Sequence, residues 1–389
     1  MNSQNTPVHI HLWHHDFWRM AIANMLLTMS VYMLIPTYPR WLLETCQMDY
    51  LETGLAVVAF GIGLYLLGCF TSFLVQRYRR NMVCVWSVLC LTGCLAALYY
   101  FDTRQYFSLW LILLQRLVLG AVFGLALMVL SSTLVIDTAE SFQRTEANHS
   151  VSWFARFSLA LGPLVGMIVY PLYGFRTVLL AAGGCALVAV VLILLVHFPF
   201  RAPDDHVPLV SLDRFFLPQG SLLFGNLLLI MMAMGLVLCL PLSTRFYAMM
   251  MMGFLLALLA QRFVFREAEL KSEVVSGLVL MIAALLMMLT RSQEIVGYLA
   301  PLFIGIGIGI IGSRFLLFFI KLSRHCQRGT SQSAYLLGWE SGLVLGIGMG
   351  YGVFHSDKTG VLVCALVLCG LSLVLYQFTH NWFVRNKNR

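Results

Sequence analysis

The chain has 389 residues, of which 60% are hydrophobic and only 11% are charged. A soluble domain carries about 25% charged residues, so this chain has too few polar groups to cover a surface that faces water. The composition excludes a soluble protein and indicates one that crosses a lipid bilayer many times. The net charge of +8 comes without a basic patch that alternates with aromatic residues, so no nucleic-acid partner is expected.

Apolar stretches of about 20 residues, the length that crosses a bilayer, recur along the whole chain. The predicted spans are 17–38, 53–75, 82–101, 107–135, 148–172, 176–198, 219–241, 246–264, 274–290, 296–320, 332–354 and 360–379. An all-α membrane protein with twelve transmembrane helices is therefore expected. The histidine-rich residues before the first span are interpreted as a tail and not as a metal site.

The distribution of charge predicts the orientation. Twelve spans put both termini on one side, and that side holds sixteen Lys and Arg residues against six on the other. Loops rich in Lys and Arg stay in the cytoplasm. Both termini are therefore predicted to be cytoplasmic. The excess of Lys and Arg on that side also accounts for the net positive charge of the chain.

The domain organisation follows from one polar stretch. Residues 200–219 lie on the predicted cytoplasmic side, contain prolines and lack a helical period. They are interpreted as a linker between two six-helix bundles, residues 1–199 and 220–389. Parallel six-span repeats with a binding site at their interface are typical of transporters.

Glycine pairs at a spacing of four support this division because they recur at a nearly constant shift. At shifts of 185 and 184 residues, respectively, the recurring pairs are Gly120 and Gly124 with Gly305 and Gly309, and Gly162 and Gly166 with Gly346 and Gly350. Such pairs let helices approach closely in lipid. Static helix packing and packing that slides during a transport cycle both remain open.

Three motifs carry a family resemblance. They are the loop SFLVQRYRRNMV at 72–83, with Gln76, Arg77 and Arg80; Arg116, Gly120 and Gly124 in the fourth span; and Gly162, Pro163 and Gly166 in the fifth. They resemble the gating loop, the proton-coupling signature and the core of the antiporter signature of the major facilitator superfamily. The gating loop departs from the family pattern, because Gln76 stands where the family has an aspartate that locks the gate.

The resemblance covers essentially the whole chain and implies both fold and function. It implies two pseudo-symmetric six-helix bundles in a bacterial inner membrane, working as a monomer without a cofactor and not as an enzyme. It implies a secondary transporter that moves a small molecule by alternating access, with proton-coupled export preferred. Proton-coupled uptake is the first alternative. A receptor or scaffold that does not transport is the second, and the altered gating loop favours it.

Four charged residues lie well inside predicted spans, where each costs about 2.5–3.5 kcal/mol. They are Arg116, Arg156, Arg314 and Glu340. At 1.5 Å per residue, Arg314 and Glu340 lie about 10 and 12 Å below the predicted cytoplasmic face, and consecutive helices are usually neighbours. An ion pair between them is expected, either static or able to exchange protons. Arg116 and Arg156 are interpreted as serving an anionic group, as snorkelling to the membrane surface or as bonded to backbone carbonyls.

Polar residues in the first span complete the candidate site. Asn24, Thr28 and Tyr32 recur at a spacing of four and therefore share one helix face. The family resemblance implies that the first span lines the substrate cavity, so these side chains are expected to contact substrate. Asn226 in the seventh span is a weaker cavity candidate.

Overall fold

The computed structural model describes residues 11–105, 108–198, 206–264, 269–324 and 327–387. His9 of the histidine-rich tail and the first predicted linker residues, 200–205, lie outside these ranges. Within the described ranges every regular element is a helix. In lipid a helix satisfies its backbone polar groups within its own segment, which is why the apolar stretches take this form. The predicted all-α class is confirmed.

The first group of helices covers residues up to 194. Its α-helices are α1 His15–Tyr32, α2 Leu34–Glu44, α3 Tyr50–Leu66, α4 Thr71–Arg77, α5 Arg80–Arg104, α6 Leu109–Val129, α7 Val135–Asp137 and α8 Arg144–Leu194. A π-helical turn, Leu130–Leu134, joins α6 to α7. The 51 residues of α8 contain a break at Gly174, where φ is 77°. An unbroken helix of that length would be about 76 Å long; α8 covers the whole predicted span 148–172 and the predicted span 176–198 up to Leu194.

The second group follows the predicted linker. Its α-helices are α9 Ser221–Leu238, α10 Thr244–Phe263, α11 Leu270–Thr290, α12 Val296–Leu322, α13 Arg328–Gly352 and α14 Lys358–Asn386. Among the described residues, 10 helical stretches are long and apolar enough to cross a membrane. The 51-residue α8 counts as one of these, and α13 is not among them. The twelve-span arrangement stays a prediction.

Helix pairings in the first group recur in the second. Helix α1 packs on α8 as α13 packs on α9, and α3 packs on α6 as α10 packs on α12. Between the groups, α3 packs on α13 and α8 packs on α10. The two groups thus repeat one packing scheme, and the glycine pairs lie at its crossings.

Small residues let these helices touch backbone to backbone. A methyl group added at Gly120 would lie 2.0 Å from the carbonyl oxygen of Phe60 on α3. Of the other motif glycines, Gly124, Gly166, Gly305 and Gly346 also meet the backbone of a neighbouring helix within 3 Å, and Gly162, Gly309 and Gly350 meet side-chain atoms within 3 Å. Pro163 lies inside α8 beside Gly162. The glycine motifs therefore stand at close contacts between helices in both groups.

Replacing Gly346 with alanine is expected to destabilise the fold. The new methyl group would lie 2.1 Å from the Met232 carbonyl oxygen, and overpacking of this kind typically costs about 1–3 kcal/mol. Gly225→Ala on α9 is the matched control, because nothing lies within 4 Å of its added methyl group. The thermal midpoint of the purified protein measures both. Equal midpoints for the two variants would contradict the expectation.

Candidate functional site

Glu340 lies in the middle of α13 with 3% of its surface exposed. Its Oε1 accepts a hydrogen bond of 2.6 Å from the hydroxyl of Tyr32 on α1. This bond joins the first helix group to the second at the centre of the molecule. Placing an ionisable group this deep in a membrane protein costs free energy, so Glu340 is a candidate functional residue.

Two small cavities meet at the Tyr32–Glu340 pair, and both residues line both cavities. We call them the first chamber and the second chamber. The first, about 10 Å³ in volume, is lined from the α1 side by Asn24 and Thr28. The second, about 40 Å³, extends toward the end of α1 and is lined by Tyr38 and Arg116. A water needs about 10–15 Å³ of such space, so together the chambers hold only a few waters in this conformation.

The structure brings the predicted stripe of α1 together in the first chamber. Asn24, Thr28 and Tyr32 all line it. Thr28 donates its hydroxyl hydrogen to the backbone oxygen of Asn24 at 2.9 Å. The side-chain oxygen of Asn24 is buried and has no hydrogen-bond partner among the described residues. It is available to a molecule in the chamber.

Arg156 enters the first chamber from α8 with 1% of its surface exposed. Its Nη2 donates to the Ser152 hydroxyl at 2.7 Å. Its Nε and Nη1 are buried and make no hydrogen bond of normal geometry to a described residue, although the Tyr335 hydroxyl interacts with the guanidinium. The guanidinium carbon lies 4.4 Å from the centre of the Trp153 ring. A positive charge therefore faces the chamber with unused donors.

Arg116 occupies the corresponding place in the second chamber. It is 6% exposed, and its guanidinium carbon lies 4.2 Å from the centre of the Tyr38 ring and 5.0 Å from that of Phe60. Its Nε and Nη1 are buried, and neither has a hydrogen-bond partner in the part of the chain that the structure describes. Each chamber therefore contains one such arginine, and Glu340 lies between them.

The expected ion pair between Arg314 and Glu340 is wrong. Arg314 Nε lies 2.5 Å from Oε2 of Glu273 on α11, whose side chain is 1% exposed. Helix α12 packs more extensively on α11 than on α13, so Arg314 meets an acid of α11, while Glu340 faces α1. Glu273 was missed because the predicted span begins one residue after it.

Asn226 is also misassigned as a cavity residue. It is fully buried between α9 and α14, where its Oδ1 accepts from the Ser372 hydroxyl at 2.6 Å. Its Nδ2 donates to the Ser372 backbone oxygen at 3.3 Å. With both ends of the amide satisfied by one neighbouring helix, Asn226 holds helices together and lines neither chamber.

A segment of the predicted linker, residues 206–217, contacts the helix ends on one face of the bundle, which we call the linker face. Asp213 in this segment accepts from the Ser72 hydroxyl of α4 at 3.3 Å and from the Thr330 hydroxyl of α13 at 2.8 Å. Gln76 donates to Ser72 at 2.8 Å. The altered gating loop is therefore connected to the second helix group through an aspartate of the linker.

The two arginines of the gating loop differ in their surroundings. Arg80 forms an ion pair with Asp137 at the end of α7, and both side chains are largely buried. Arg77 is exposed at the end of α4.

Arg214 of the linker segment donates from its backbone to Thr330 at 2.9 Å and from its side chain to Thr133 at 3.0 Å. These contacts join the two helix groups across the linker face.

The opposite face is joined by glycines of α3 and α13. A methyl group at Gly54 would lie 2.7 Å from the Gly348 carbonyl oxygen and 2.8 Å from the Gly352 nitrogen. Contacts between the two helix groups therefore lie on both sides of the central chambers. Two helix groups with repeated packing therefore surround a polar centre, and contacts between them close both sides of it in this conformation.

A family model described as Major Facilitator Superfamily matches residues 20–356. The chain belongs to this family. A comparison with curated proteins finds no match.

Solved structures share the fold at low sequence identity. The bacterial homolog of the human lysosomal transporter Spinster, inward-facing and unoccupied, has a TM-score of 0.69 at 13% identity, covering 98% of this chain and 100% of that one. The human organic anion transporter MFSD10 has a TM-score of 0.68 at 16% identity, covering 92% and 97%. The E. coli fucose:proton symporter FucP has a TM-score of 0.63 at 12% identity, covering 93% and 98%.

Proposed function

We propose that the protein moves a small molecule across the membrane by alternating access, coupled to protons and in the direction of export. The two moving units are residues 1–199 and 220–389, with 200–219 as the linker between them. The linker face and both termini are cytoplasmic, because Lys and Arg concentrate on that side. We assign the protein to a bacterial inner membrane, as a monomer.

The Tyr32–Glu340 hydrogen bond carries this proposal. It connects the two helix groups between two chambers, each of which extends toward one face of the bundle. A buried carboxyl group that binds a proton loses its charge, and its interactions with neighbouring groups change as a result. Protonation of Glu340 alters the contact that the two groups must break in order to rock against each other.

Uptake with protons is the alternative supported by the neighbouring fucose:proton symporter, which has the same fold. A receptor without transport is supported by Gln76, which replaces the charged residue of the family's gating loop. The bonds that link Gln76, Ser72 and Asp213 weaken this second alternative, because they supply an acid to the same loop from the linker.

Vesicles of known orientation test the proposal. Everted and right-side-out membrane vesicles that contain the protein are incubated with an isotope-labelled metabolite extract, with and without a proton gradient. Their contents are identified by mass spectrometry. Export predicts that a compound accumulates in everted vesicles only when their interior is acidic. Accumulation only in right-side-out vesicles with a gradient directed inward favours uptake, and accumulation in neither favours a receptor.

Replacing Asp213 with alanine is expected to loosen the linker face. The variant loses the bonds from Ser72 and Thr330. Because the Asp213 side chain is 45% exposed, the loss is about 1 kcal/mol, or about fivefold faster amide exchange through opening at the start of α13. Hydrogen–deuterium exchange measures this without a substrate. Asp357→Ala is the control. Asp357 caps the start of α14 through Gly360, so this variant should leave exchange at the start of α13 unchanged. Unchanged exchange in Asp213→Ala contradicts the expectation.

A further inference from the structure

We propose that the transported molecule is an organic anion with an apolar body, and that Arg156 and Arg116 bind its charged group in turn. This inference rests on the proposed function and names the substrate class of the same site. It is carried by two buried guanidinium groups on either side of Glu340.

Three buried or largely buried arginines within the predicted spans allow an internal comparison. Arg314 has a carboxylate partner, Glu273, at 2.5 Å. Arg116 and Arg156 have no carboxylate within 4 Å among the described residues, although both are more than nine-tenths buried. An isolated buried charge is costly unless it is paired. The fold pairs the arginine outside the chambers and leaves unpaired the two that line them.

Aromatic rings do not satisfy these two arginines. Trp153 lies against Arg156, and Tyr38 lies against Arg116. A ring stabilises a cation through its face, whereas the donors of a guanidinium lie in its own plane and form a fork that fits a carboxylate. The Tyr335 hydroxyl interacts with the Arg156 guanidinium, but it is not an anion, and Nε and Nη1 of each arginine make no hydrogen bond of normal geometry to a described residue. They are arranged to receive an anionic group.

The balance of charge selects the sign of the ligand. Two arginines and Glu340 are the charged residues that line the chambers. The lining is therefore net positive whether or not Glu340 carries a proton. A cation would meet repulsion on both sides of Glu340, and an anion would meet attraction.

The remaining walls define the body of the ligand. The first chamber is walled by Tyr335, Leu336 and Trp339, and the second by Leu343 and Val344. Gly312 leaves room beside Arg156, because a methyl group there would lie 3.0 Å from Arg156 Nε and 2.7 Å from the Trp339 ring. Apolar and aromatic walls around a cationic end fit a small carboxylate with an aliphatic or aromatic body. Binding requires one side to open, since the closed chambers hold only a few waters.

The two-chamber arrangement also relates the anion to the proton. An anion that passes from Arg156 to Arg116 must pass the Tyr32–Glu340 pair. In the proposed export by exchange, the anion and the proton use this passage in alternation: Glu340 binds a proton after the anion has left and releases it before the next anion binds.

Binding of matched probes tests the inference without a gradient. Thermal stabilisation of the purified protein is measured with benzoate, benzamide and benzylammonium, which share a ring and differ in charge, and with butyrate and 2-naphthoate for size. The variants are Arg156→Gln, Arg116→Gln and Arg156→Lys. Arg40→Gln is the control, because Arg40 is exposed and pairs with Glu44 on its own helix.

We expect at least one carboxylate to stabilise the wild-type protein and the Arg40→Gln control. Its apparent affinity should be lower by about tenfold or more in Arg156→Gln and Arg116→Gln. Arg156→Lys should retain part of the affinity. Benzamide and benzylammonium should have no effect. Equal effects of all three charge types, preference for benzylammonium, or no response to any carboxylate would overturn the inference. Size-exclusion profiles confirm that each variant is folded. Carboxylate binding without transport would overturn the proposed function and retain the anion site at Arg156 and Arg116. Proton-driven transport of a neutral or cationic compound would overturn the inference and retain the proposed function.

Discussion

Replacing Glu340 with glutamine is expected to abolish proton-driven transport while leaving the protein folded. The amide keeps the shape of the side chain, and its oxygen still accepts the Tyr32 hydrogen bond. The change removes the one carboxylic acid that lines the two chambers among the described residues. Because a buried charge is costly, the stability of the variant should equal or exceed that of the wild type.

Transport of the compound identified in the vesicle experiment measures this effect. With an imposed proton gradient, Glu340→Gln should fall to the level of vesicles without the protein, whereas exchange of labelled for unlabelled compound should persist. Tyr32→Phe removes the donor but not the proton site, so it should retain gradient-driven transport at a reduced rate. Glu294→Gln is the control, since the Glu294 side chain is 77% exposed. Full gradient-driven transport by Glu340→Gln would exclude Glu340 as the proton carrier.

Local pattern was sufficient to predict much of this site. The stripe of Asn24, Thr28 and Tyr32 is fixed by the period of a single helix, and all three residues line the first chamber. The position of Glu340 within a span also follows from composition alone. The positions of the glycine motifs in both helix groups follow from the internal repeat. Each of these features is encoded in a short stretch of chain or in a direct comparison of two stretches.

The partner of Arg314 could not be predicted in the same way. Rise per residue gives depth below the membrane surface, but depth alone does not decide which acid a side chain meets. The direction in which a side chain faces depends on helix rotation and on which helices are neighbours, which are properties of the whole bundle. Arg314 meets Glu273 of α11 at 2.5 Å, and Glu340 of α13 meets α1.

The contact of the gating loop with the linker was hidden for a related reason. Ser72 and Asp213 are 141 residues apart in the chain. The replacement of the family's aspartate by Gln76 is visible in the sequence, but the acid that reaches the same loop is not adjacent to it. Only the fold brings the linker beside α4.

Glu273→Gln is expected to reduce stability strongly because it leaves Arg314 without a carboxylate. The Glu273 and Arg314 side chains are 1% and 16% exposed. Removing one member of a buried ion pair costs about 3–5 kcal/mol, whereas replacing both members with apolar residues of similar size is often neutral. Glu273→Met alone and Arg314→Met alone should each cost a similar amount, and the double variant Glu273→Met with Arg314→Met should restore most of the loss.

The free energy of unfolding, measured by titration with SDS, completes this double-mutant cycle. A structural pair predicts a strong coupling between the two positions and, for the double variant, transport per folded molecule close to that of the wild type. Additive losses would mean that the two side chains do not stabilise each other. Restored stability with lost transport would mean that the pair takes part in the transport cycle. The same chain thus separates two kinds of buried acid: Glu273, whose removal should change stability, and Glu340, whose removal should change coupling.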